Sequence, residues 1–455
     1  MSAKPHKLKK KRGNLSPTRV IAVAFAVIIL VGTGLLMLPA ASRNGASCGF
    51  RPALFTATSA TCVTGLVLYD TWSQWSGFGQ TVIITLIEIG GLGFMRAASL
   101  VIFIFRRKVG LKQRMLMAQA LSVDEMSSVV KLQKWVLLGS LSVQLTGALV
   151  LMLRFLPDYG FKQAVTWGLF HSVSAFCNAG FDIFGSVQPG GSVSVFNNDP
   201  VVCITLMVLI VAGGLGFFVW EELARVRRFK KFSVYTKLVL VTTGVLIVGG
   251  AALILLLEWN NAGTLGQMSW GQKILNAFFQ TVTLRTAGFA SFDQGALTDA
   301  GKAVSMLLML VGGSSGSTAG GLKTVTFMVL LMFIWARARG KNSVNAFRRS
   351  VSMDKVTDAA TIAFIMILLS FVGAIFICAT SAVGFVDALY ETVSALATVG
   401  LTTGITTCLS VPAQFMIIVF MYFGRVGILT ISLGFLMGDK AQDRIRYANT
   451  NLLIG

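Results

Sequence analysis

The sequence has little charge and few of the side chains that metal-dependent or redox enzymes use. Charged residues make up 13% of the 455 positions and hydrophobic residues 55%, whereas soluble proteins carry about 25% charged residues. The only histidines are His6 and His171, and the six cysteines form no Cys-x-x-Cys pair. Zinc and haem sites need closer sets of ligands. The composition therefore excludes a soluble enzyme and argues against metal redox chemistry.

Long hydrophobic runs recur from Thr18 to Met437, which excludes one anchor joined to a soluble domain. Because about 20 apolar residues cross the hydrocarbon core, eight stretches qualify as spans: 18–39, 80–105, 135–156, 201–220, 235–258, 301–335, 359–380 and 412–437. Within each consecutive pair lies one shorter segment of about half that length: Arg51–Cys62, Gln163–Cys177, Gly271–Leu284 or Phe385–Ala397. The pattern predicts an all-α integral membrane protein with eight spans and four half-spanning, re-entrant helices.

The basic residues are concentrated in five segments. Residues 1–19, 106–134, 221–237, 336–358 and 439–455 hold 29 Lys and Arg against 8 Asp and Glu, so they account for the whole net charge of +21. Basic loops favour the cytoplasmic side of a membrane, which predicts that both termini are cytoplasmic. Docking of an acidic partner or of membrane lipid is the alternative reading of these segments. This distribution gives no reason to invoke nucleic acid.

The four short segments align without gaps as an internal repeat. Each has an aromatic residue, a Ser or Thr four or five positions later (Ser59, Ser174, Thr283 and Ser394), and a glycine ten positions after the aromatic. The glycines are 115, 108 and 112 residues apart, and each is followed by Leu or Phe. They are Gly65, Gly180, Gly288 and Gly400.

Four quasi-equivalent loops of this kind predict a pore. Glycine can adopt backbone angles closed to other residues and lets four backbones converge, and a carbonyl ring can replace the hydration shell of an ion. Amphipathic turns that cap a helical bundle are the alternative, which four matching copies make less attractive. The predicted filter residues are Thr61, Cys62, Val63, Thr64, Gly65, Cys177, Asn178, Ala179, Gly180, Arg285, Thr286, Ala287, Gly288, Ala397, Thr398, Val399 and Gly400.

The strings at 59–66, 174–181, 284–289 and 397–401 resemble the four filter loops of the Trk/Ktr/HKT superfamily of potassium transporters, and the Ktr membrane subunit in particular. The resemblance covers essentially the whole chain. It implies potassium ions in the filter. By analogy with plant members of the superfamily, glycine at position 65 implies a preference for potassium. It also implies a plasma membrane location, a homodimer with residues 447–455 at the dimer contact, and a cytosolic nucleotide-binding (RCK-type) regulatory ring. No covalent cofactor is expected, and any nucleotide acts through the partner.

The repeats divide the chain into successive units. We expect four tandem helix–pore loop–helix repeats around a central pore, flanked by a basic N-terminal segment and a C-terminal tail. The predicted boundaries are 1–17 for the N-terminal segment, 18–110, 130–230, 232–340 and 355–438 for repeats one to four, and 439–455 for the tail.

The sixth span contains a Gly/Ser-rich break at 312–324. Glycine costs about 1 kcal/mol relative to alanine within a helix, so the span is predicted to open into an intramembrane loop, and the resemblance assigns such a loop to gating. A phosphate-binding loop is excluded because Leu322 stands between Gly321 and Lys323. An amidase serine motif is excluded because it needs a soluble α/β core. The predicted gating residues are Gly312, Gly313, Ser314, Ser315, Gly316, Ser317, Thr318, Ala319, Gly320, Gly321, Lys323 and Arg425.

Charged residues inside spans are functional candidates. Arg425 is predicted to face the pathway and oppose cation passage, or else to bond backbone carbonyls for structure. Arg285 is predicted to point away from the axis as a brace, paired with Glu391 or another acid. Glu88 and Arg96 are too far apart along one helix to pair.

Two further features are predicted to serve packing. His171, on the second short segment, is expected to be packed and not to act as a ligand. The Gly-Gly-Leu-Gly strings at 90–93 and 213–216 are expected to mark close helix contacts, since neither has the βαβ setting of a dinucleotide site.

The sequence thus predicts potassium uptake through four backbone loops and no enzymatic activity. A sodium- or proton-coupled solute symporter is the alternative, because symporters also use broken helices at the membrane midplane. A structural scaffold would not require glycine at four matching positions.

Overall fold

The computed structural model describes residues 17–93, 129–341, 343–347 and 349–427, and these are mostly helical. The α-helices are α1 Pro17–Leu36, α2 Phe50–Cys62, α3 Thr71–Gln74, α4 Gly77–Leu92, α5 Val129–Cys177, α6 Pro200–Leu215, α7 Phe217–Arg225, α8 Val234–Glu258, α9 Trp270–Thr283, α10 Asp299–Leu310, α11 Thr324–Ala338, α12 Met353–Thr380, α13 Phe385–Leu396 and α14 Val411–Val426. Strands β1 (Val344–Ala346) and β2 (Arg349–Val351) form an antiparallel hairpin.

Several helices begin at a polar cap and end at a glycine. The side chains of Ser76 and Asp199 accept hydrogen bonds from the first backbone N–H groups of α4 and α6, which would otherwise lack partners. Helices α4, α6 and α14 end at Gly93, Gly216 and Gly427, with φ of 83°, 83° and 93°. Since L-residues rarely adopt these angles, glycine suits the ends of α4, α6 and α14, which belong to the first, second and fourth predicted repeats.

The predicted spans agree with the helices in position but not in every boundary. Span 135–156 and the short segment after it are two helices that meet at a kink at Gly160 (φ 75°, ψ 166°), and both lie within α5. Span 201–220 is wrong as a straight helix, because the chain turns by 96° between α6 and α7. The break in span 301–335 is present between α10 and α11. Helix α12 begins at Met353, earlier than expected.

Some predictions fall outside the described residues, namely the ends of spans 80–105 and 412–437, most of the basic segments, Arg96 and residues 447–455. The β1–β2 hairpin was not predicted, because its six residues show no strong alternation of apolar and polar side chains. In the described ranges, four helices are long and apolar enough to cross a membrane, or five with the bent α6–α7 pair.

Apolar contacts join the helix groups. One buried cluster joins α4, α5 and α6 and extends to Ala287 and Phe289 after α9. A second cluster joins α2 to α12, α13 and α14, and a third joins α10 to α13. Large apolar side chains face outward on the long helices, including Leu145, Leu256 and Phe364, which are 61%, 77% and 68% exposed. Such outer surfaces are those of an integral membrane protein.

Candidate functional site

Four half-length helices, namely α2, α9, α13 and the part of α5 that follows Gly160, each end in a turn with the same unusual backbone. The residue two positions before each repeat glycine is left-handed: φ is 58° at Val63, 60° at Asn178, 67° at Thr286 and 51° at Thr398. This region is uncommon for residues other than glycine and strained for β-branched ones. Four occurrences at one repeat position show that the turn is built into all four loops.

Backbone hydrogen bonds hold these turns. In loops one, two and four, the N–H before the glycine donates to a carbonyl five residues earlier, each at 2.8 Å: Thr64 to Ser59, Ala179 to Ser174 and Val399 to Ser394. In loop three, Ala287 N–H donates instead to Thr283 O, four residues earlier, at 2.9 Å. The third loop is therefore wound more tightly than the others.

The repeat glycines form a closed ring, here called the glycine ring (Gly65, Gly180, Gly288 and Gly400). A Cβ atom on Gly65 would lie 2.6 Å from the oxygen of Ala179, one on Gly180 would lie 2.8 Å from that of Ala287, and one on Gly288 would lie 2.5 Å from that of Val399. A Cβ atom on Gly400 would overlap the oxygen of Thr64, which closes the circle. All four glycines have positive φ, from 70° to 99°. A side chain at any of them would be strained and would strike a neighbouring loop.

Side-chain hydroxyl groups fix the glycine ring in two ways. Ser59 and Ser394 accept hydrogen bonds at 3.0 Å from the N–H groups of Gly65 and Gly400. Ser174 and Thr283 instead donate to the carbonyls of Phe181 and Phe289, at 2.7 and 2.8 Å. A hydroxyl can do either because it is both donor and acceptor.

Other hydroxyl groups at the glycine ring have no partner in the protein. The buried Oγ1 atoms of Thr61, Thr64, Thr286 and Thr398 make no hydrogen bond. Buried polar atoms normally have a hydrogen-bond partner. These oxygens are therefore available to a bound species that accepts their lone pairs, such as a cation. Carbonyl and hydroxyl oxygens without a carboxylate are ligands for a monovalent cation that has shed its water.

A vestibule of about 530 Å³ opens on one side of the glycine ring and is lined by all four of its glycines. Asp70, Asp182 and Asp293 also line the vestibule, and no lysine, arginine or histidine does so in the described part of the chain. Burial and the nearby negative charge of Asp70 raise the pKa of Asp182 to about 7. Acidic walls of this kind raise the local concentration of cations.

The segment 312–324, here called the intramembrane loop, packs against the opposite side of the glycine ring. Thr318 Oγ1 donates to Phe176 O at 3.1 Å. A Cβ atom on Gly312 would lie 3.1 Å from Thr286 Cγ2, and one on Gly320 would lie 2.7 Å from Ala397 O. The intramembrane loop therefore touches residues of the second, third and fourth filter loops.

Contacts with α6 and α8 hold the intramembrane loop in place. Ser314 N–H donates to Gly214 O at 3.0 Å, and the Tyr235 hydroxyl donates to Ser315 O at 2.8 Å. Within the loop, Lys323 Nζ donates to Ala319 O at 2.7 Å. These bonds satisfy backbone groups that irregular structure would leave bare at membrane depth.

Arg425 joins the intramembrane loop to two other helices. Its guanidinium donates to the carbonyls of Thr318 and Gly90, and to that of Gly91 at 3.0 Å. The predicted position beside the Gly/Ser-rich segment is thus observed, and so are the carbonyl bonds of the alternative, structural reading. The geometry allows both a fixed positive charge near the pathway and a tie that holds the loop.

Arg285 lies behind the glycine ring. Its guanidinium donates to Thr243 Oγ1 at 3.2 Å and to Gly312 O at 3.3 Å. The predicted pairing with Glu391 is wrong, because Glu391 accepts a hydrogen bond from Thr406 instead. Arg285 therefore braces the third filter loop against α8 and the intramembrane loop without an acidic partner among the described residues.

Two other predictions concern the second short segment and the second span. His171 Nδ1 donates to Trp167 O at 2.8 Å and its Nε2 accepts from Ile183 N–H at 3.2 Å, so it is packed as predicted. Glu88 accepts hydrogen bonds from Gln144 at 3.0 Å and from Cys177 at 3.3 Å. The Glu88 contact places a carboxylate beside a filter-loop cysteine.

The Gly-Gly-Leu-Gly strings mark close packing, as predicted. A Cβ atom on Gly90 would overlap Thr61 O, and one on Gly213 would overlap Phe176 O. Gly424 has the same relation to Leu396 O. Each glycine therefore lets α4, α6 or α14 contact the end of a half-length helix directly.

Sequence reasoning missed the left-handed residues and the vestibule acids. Asp70 and Asp293 each lie five positions after a ring glycine, and this shared register was a signal. The left-handed residues had a weaker signal, their fixed position two before each glycine. Their residue types, Val, Asn and Thr, gave none.

The chain was compared with known families and structures. The family described as TrkH, cation transport protein, matches residues 4–444. The chain is 39% identical to the potassium/sodium uptake protein NtpJ of Enterococcus hirae, over 98% of this chain and 99% of that protein. It is 40% identical to Ktr system potassium uptake protein B of Bacillus subtilis, over 97% of each chain.

Among solved structures, the chain is similar to the potassium transporter TrkH from Vibrio parahaemolyticus, with a TM-score of 0.73 and 17% identity. The match covers 95% of this chain and 86% of that one, and it establishes the common fold. Together with the family match, it confirms the resemblance seen in the filter-loop sequences. The chain belongs to the TrkH family, which is a family of membrane-embedded cation transport proteins and not of enzymes.

Proposed function

We propose that this protein takes up potassium across the plasma membrane, and that the filter is formed by the glycine ring and the four loops around it. The closed circle of glycines, each packed against the next loop's carbonyl, carries this proposal. The same loops carry buried threonine hydroxyls without a partner in the protein, which supports a bound cation nearby. Relatives named as potassium or potassium/sodium uptake proteins support the choice of ion.

The four-repeat architecture and its boundaries belong to the same proposal. Repeats 18–110, 130–230, 232–340 and 355–438 each contribute one left-handed turn and one ring glycine. The tandem arrangement places the filter on the axis that the repeats share. Segments 1–17 and 439–455 are cytoplasmic in this arrangement, because basic segments favour that side.

The intramembrane loop and Arg425 are proposed as the gate. The loop lies against the filter loops on the side away from the vestibule, where it would obstruct an ion leaving the filter. Arg425 holds Thr318 of the loop and brings a positive charge to the same place. Both effects oppose cation passage, so opening requires the loop and Arg425 to separate.

A regulatory partner completes the proposal. Relatives are named as proteins of a Ktr system, which supports a regulatory partner. In this proposal the chain forms a homodimer, and the partner is a cytosolic nucleotide-binding ring of the RCK type. Potassium in the filter is the only bound ion proposed, and nucleotide acts through the ring alone.

The test is uptake of potassium and sodium into proteoliposomes that contain the purified chain, with Gly65→Ser beside the wild type. Serine at a φ of 99°, with Cβ 2.6 Å from Ala179 O, strains the filter. Strain of about 1–3 kcal/mol should lower the potassium/sodium uptake ratio roughly tenfold.

Gly34→Ser is the matched control, because Gly34 is exposed on α1 and a Cβ atom there meets nothing within 4 Å. It should keep the wild-type ratio. Absence of any alkali cation uptake, even with a nucleotide-binding ring added, would refute the proposal and favour solute symport.

A further inference from the structure

A groove of about 460 Å³ lies on the outer surface between α8, α11 and the β1–β2 hairpin and shares no lining residue with the vestibule. Its long walls are apolar and are formed by Leu238, Val241, Met328, Leu331, Met332 and Trp335. Val241, Leu331 and Trp335 are 40%, 45% and 61% exposed. In a membrane protein, these side chains face the lipid.

One end of the groove is basic and aromatic. Arg339 and Lys341 line it and are exposed. The Arg339 guanidinium lies 3.9 Å from the centre of the Trp335 ring, and Lys237 Nζ lies 5.7 Å from that of the Phe347 ring. No aspartate or glutamate lines the groove among the described residues. Its charge therefore complements an anion.

The hairpin makes the groove a formed site. Strand β1 pairs with β2 in the register Val344 to Val351, and the buried Val344 packs with Val329 of α11 and Val356 of α12. Ala346 and Phe347 of the hairpin line the groove opposite the helices. The wall is thus fixed to two spans, so a ligand need not order it on binding.

We propose that this groove binds one anionic phospholipid of the cytoplasmic leaflet. The acyl chain lies along the apolar walls, and the phosphate sits between Arg339 and Lys341. Trp335 lies at the boundary between hydrocarbon and headgroups, where tryptophan is favoured. The choice of leaflet rests on the orientation proposed above for segment 336–358. A soluble anion would make no use of the apolar walls, and a neutral lipid would make none of the basic end.

The test is native mass spectrometry of the purified full chain titrated with phosphatidylglycerol and, separately, with phosphatidylcholine. We expect one phosphatidylglycerol per chain to bind more tightly than phosphatidylcholine. Arg339→Gln with Lys341→Gln should weaken phosphatidylglycerol binding roughly thirtyfold, since two basic groups near the phosphate are lost. Arg227→Gln with Arg228→Gln removes the same charge from exposed positions outside the groove and should change binding less than threefold.

A second variant separates the groove from charge alone. Ala336 lines the groove, and Ala336→Trp fills it while Arg339 and Lys341 remain. Ala336→Trp should lose the bound phosphatidylglycerol; if it does not fold, the charge variants still decide. Equal binding of the two lipids, or equal loss in both charge variants, would overturn the proposal. If the variants lost the dimer and kept the bound lipid, the proposal would also be overturned, because a second copy of the chain would then occupy the groove.

Discussion

The glycine ring and the intramembrane loop are adjacent but are held by different means. Each filter loop is fixed mainly by hydrogen bonds within its own repeat, such as those that the N–H groups of Gly65 and Gly400 donate to Ser59 and Ser394. The intramembrane loop occurs in one repeat and is also held by residues of others, including Gly214 and Arg425. Local bonds give fixed geometry, and bonds from separate helices can be released when those helices move. Changes at the ring should therefore alter selectivity, and changes at the loop should alter rate.

Among the variants that separate the glycine ring from the intramembrane loop, Ser394→Ala is expected to have the largest effect on uptake. Its hydroxyl accepts from Gly400 N–H, and the variant leaves that buried donor unpaired at a cost of about 1–3 kcal/mol. The potassium/sodium uptake ratio should fall roughly tenfold. Ser174→Ala is the matched comparison, because its hydroxyl donates to Phe181 O and its loss leaves no N–H unpaired. A larger effect of Ser174→Ala would contradict the account.

Arg425→Ala should act on rate alone. The variant removes a positive charge next to the proposed pathway and frees the carbonyl of Thr318. Potassium uptake should rise about fivefold, equivalent to about 1 kcal/mol of barrier, with the potassium/sodium ratio unchanged. Initial rates of uptake of both ions by proteoliposomes measure this. Unchanged or reduced uptake by folded protein would show that the arginine is not a barrier.

External pH should have a smaller effect, through the vestibule. The pKa of Asp182 is raised to about 7 by burial and by Asp70, so its negative charge is lost as pH falls through 7. Uptake at low potassium should fall about twofold between pH 8 and pH 6 as local cation enrichment weakens. Asp182→Asn should show the low wild-type rate of pH 6 at both pH 6 and pH 8. Persistence of the full pH dependence in Asp182→Asn would assign it to another group.

The helical fold and the positions of the four loops could be predicted from the sequence. Long apolar runs and glycines at one repeat spacing are local signals, and Gly65, Gly180, Gly288 and Gly400 come together as the repeat suggested. The break at 312–324 was readable because so many glycines cannot remain helical.

Other features depend on partners distant in sequence. Arg285 bonds Thr243 and Gly312 and not Glu391, and nothing near Arg285 in the chain indicates Thr243. The direction of each hydroxyl bond is also set by the backbone it meets, so Ser59 and Ser174 differ despite equivalent positions. The β1–β2 hairpin forms through packing of Val344 against α11 and α12.

The most direct test of the glycine ring compares two alanine substitutions in the same repeat. Gly288 has a φ of 84° and a Cβ atom there would lie 2.5 Å from Val399 O, whereas a Cβ atom on Gly271 in α9 meets nothing within 4 Å. The measurement is the potassium/sodium uptake ratio of both variants in proteoliposomes. Gly288→Ala should lose most of its preference for potassium, and Gly271→Ala should keep it. Equal ratios in the wild type and both variants would contradict a filter at the glycine ring.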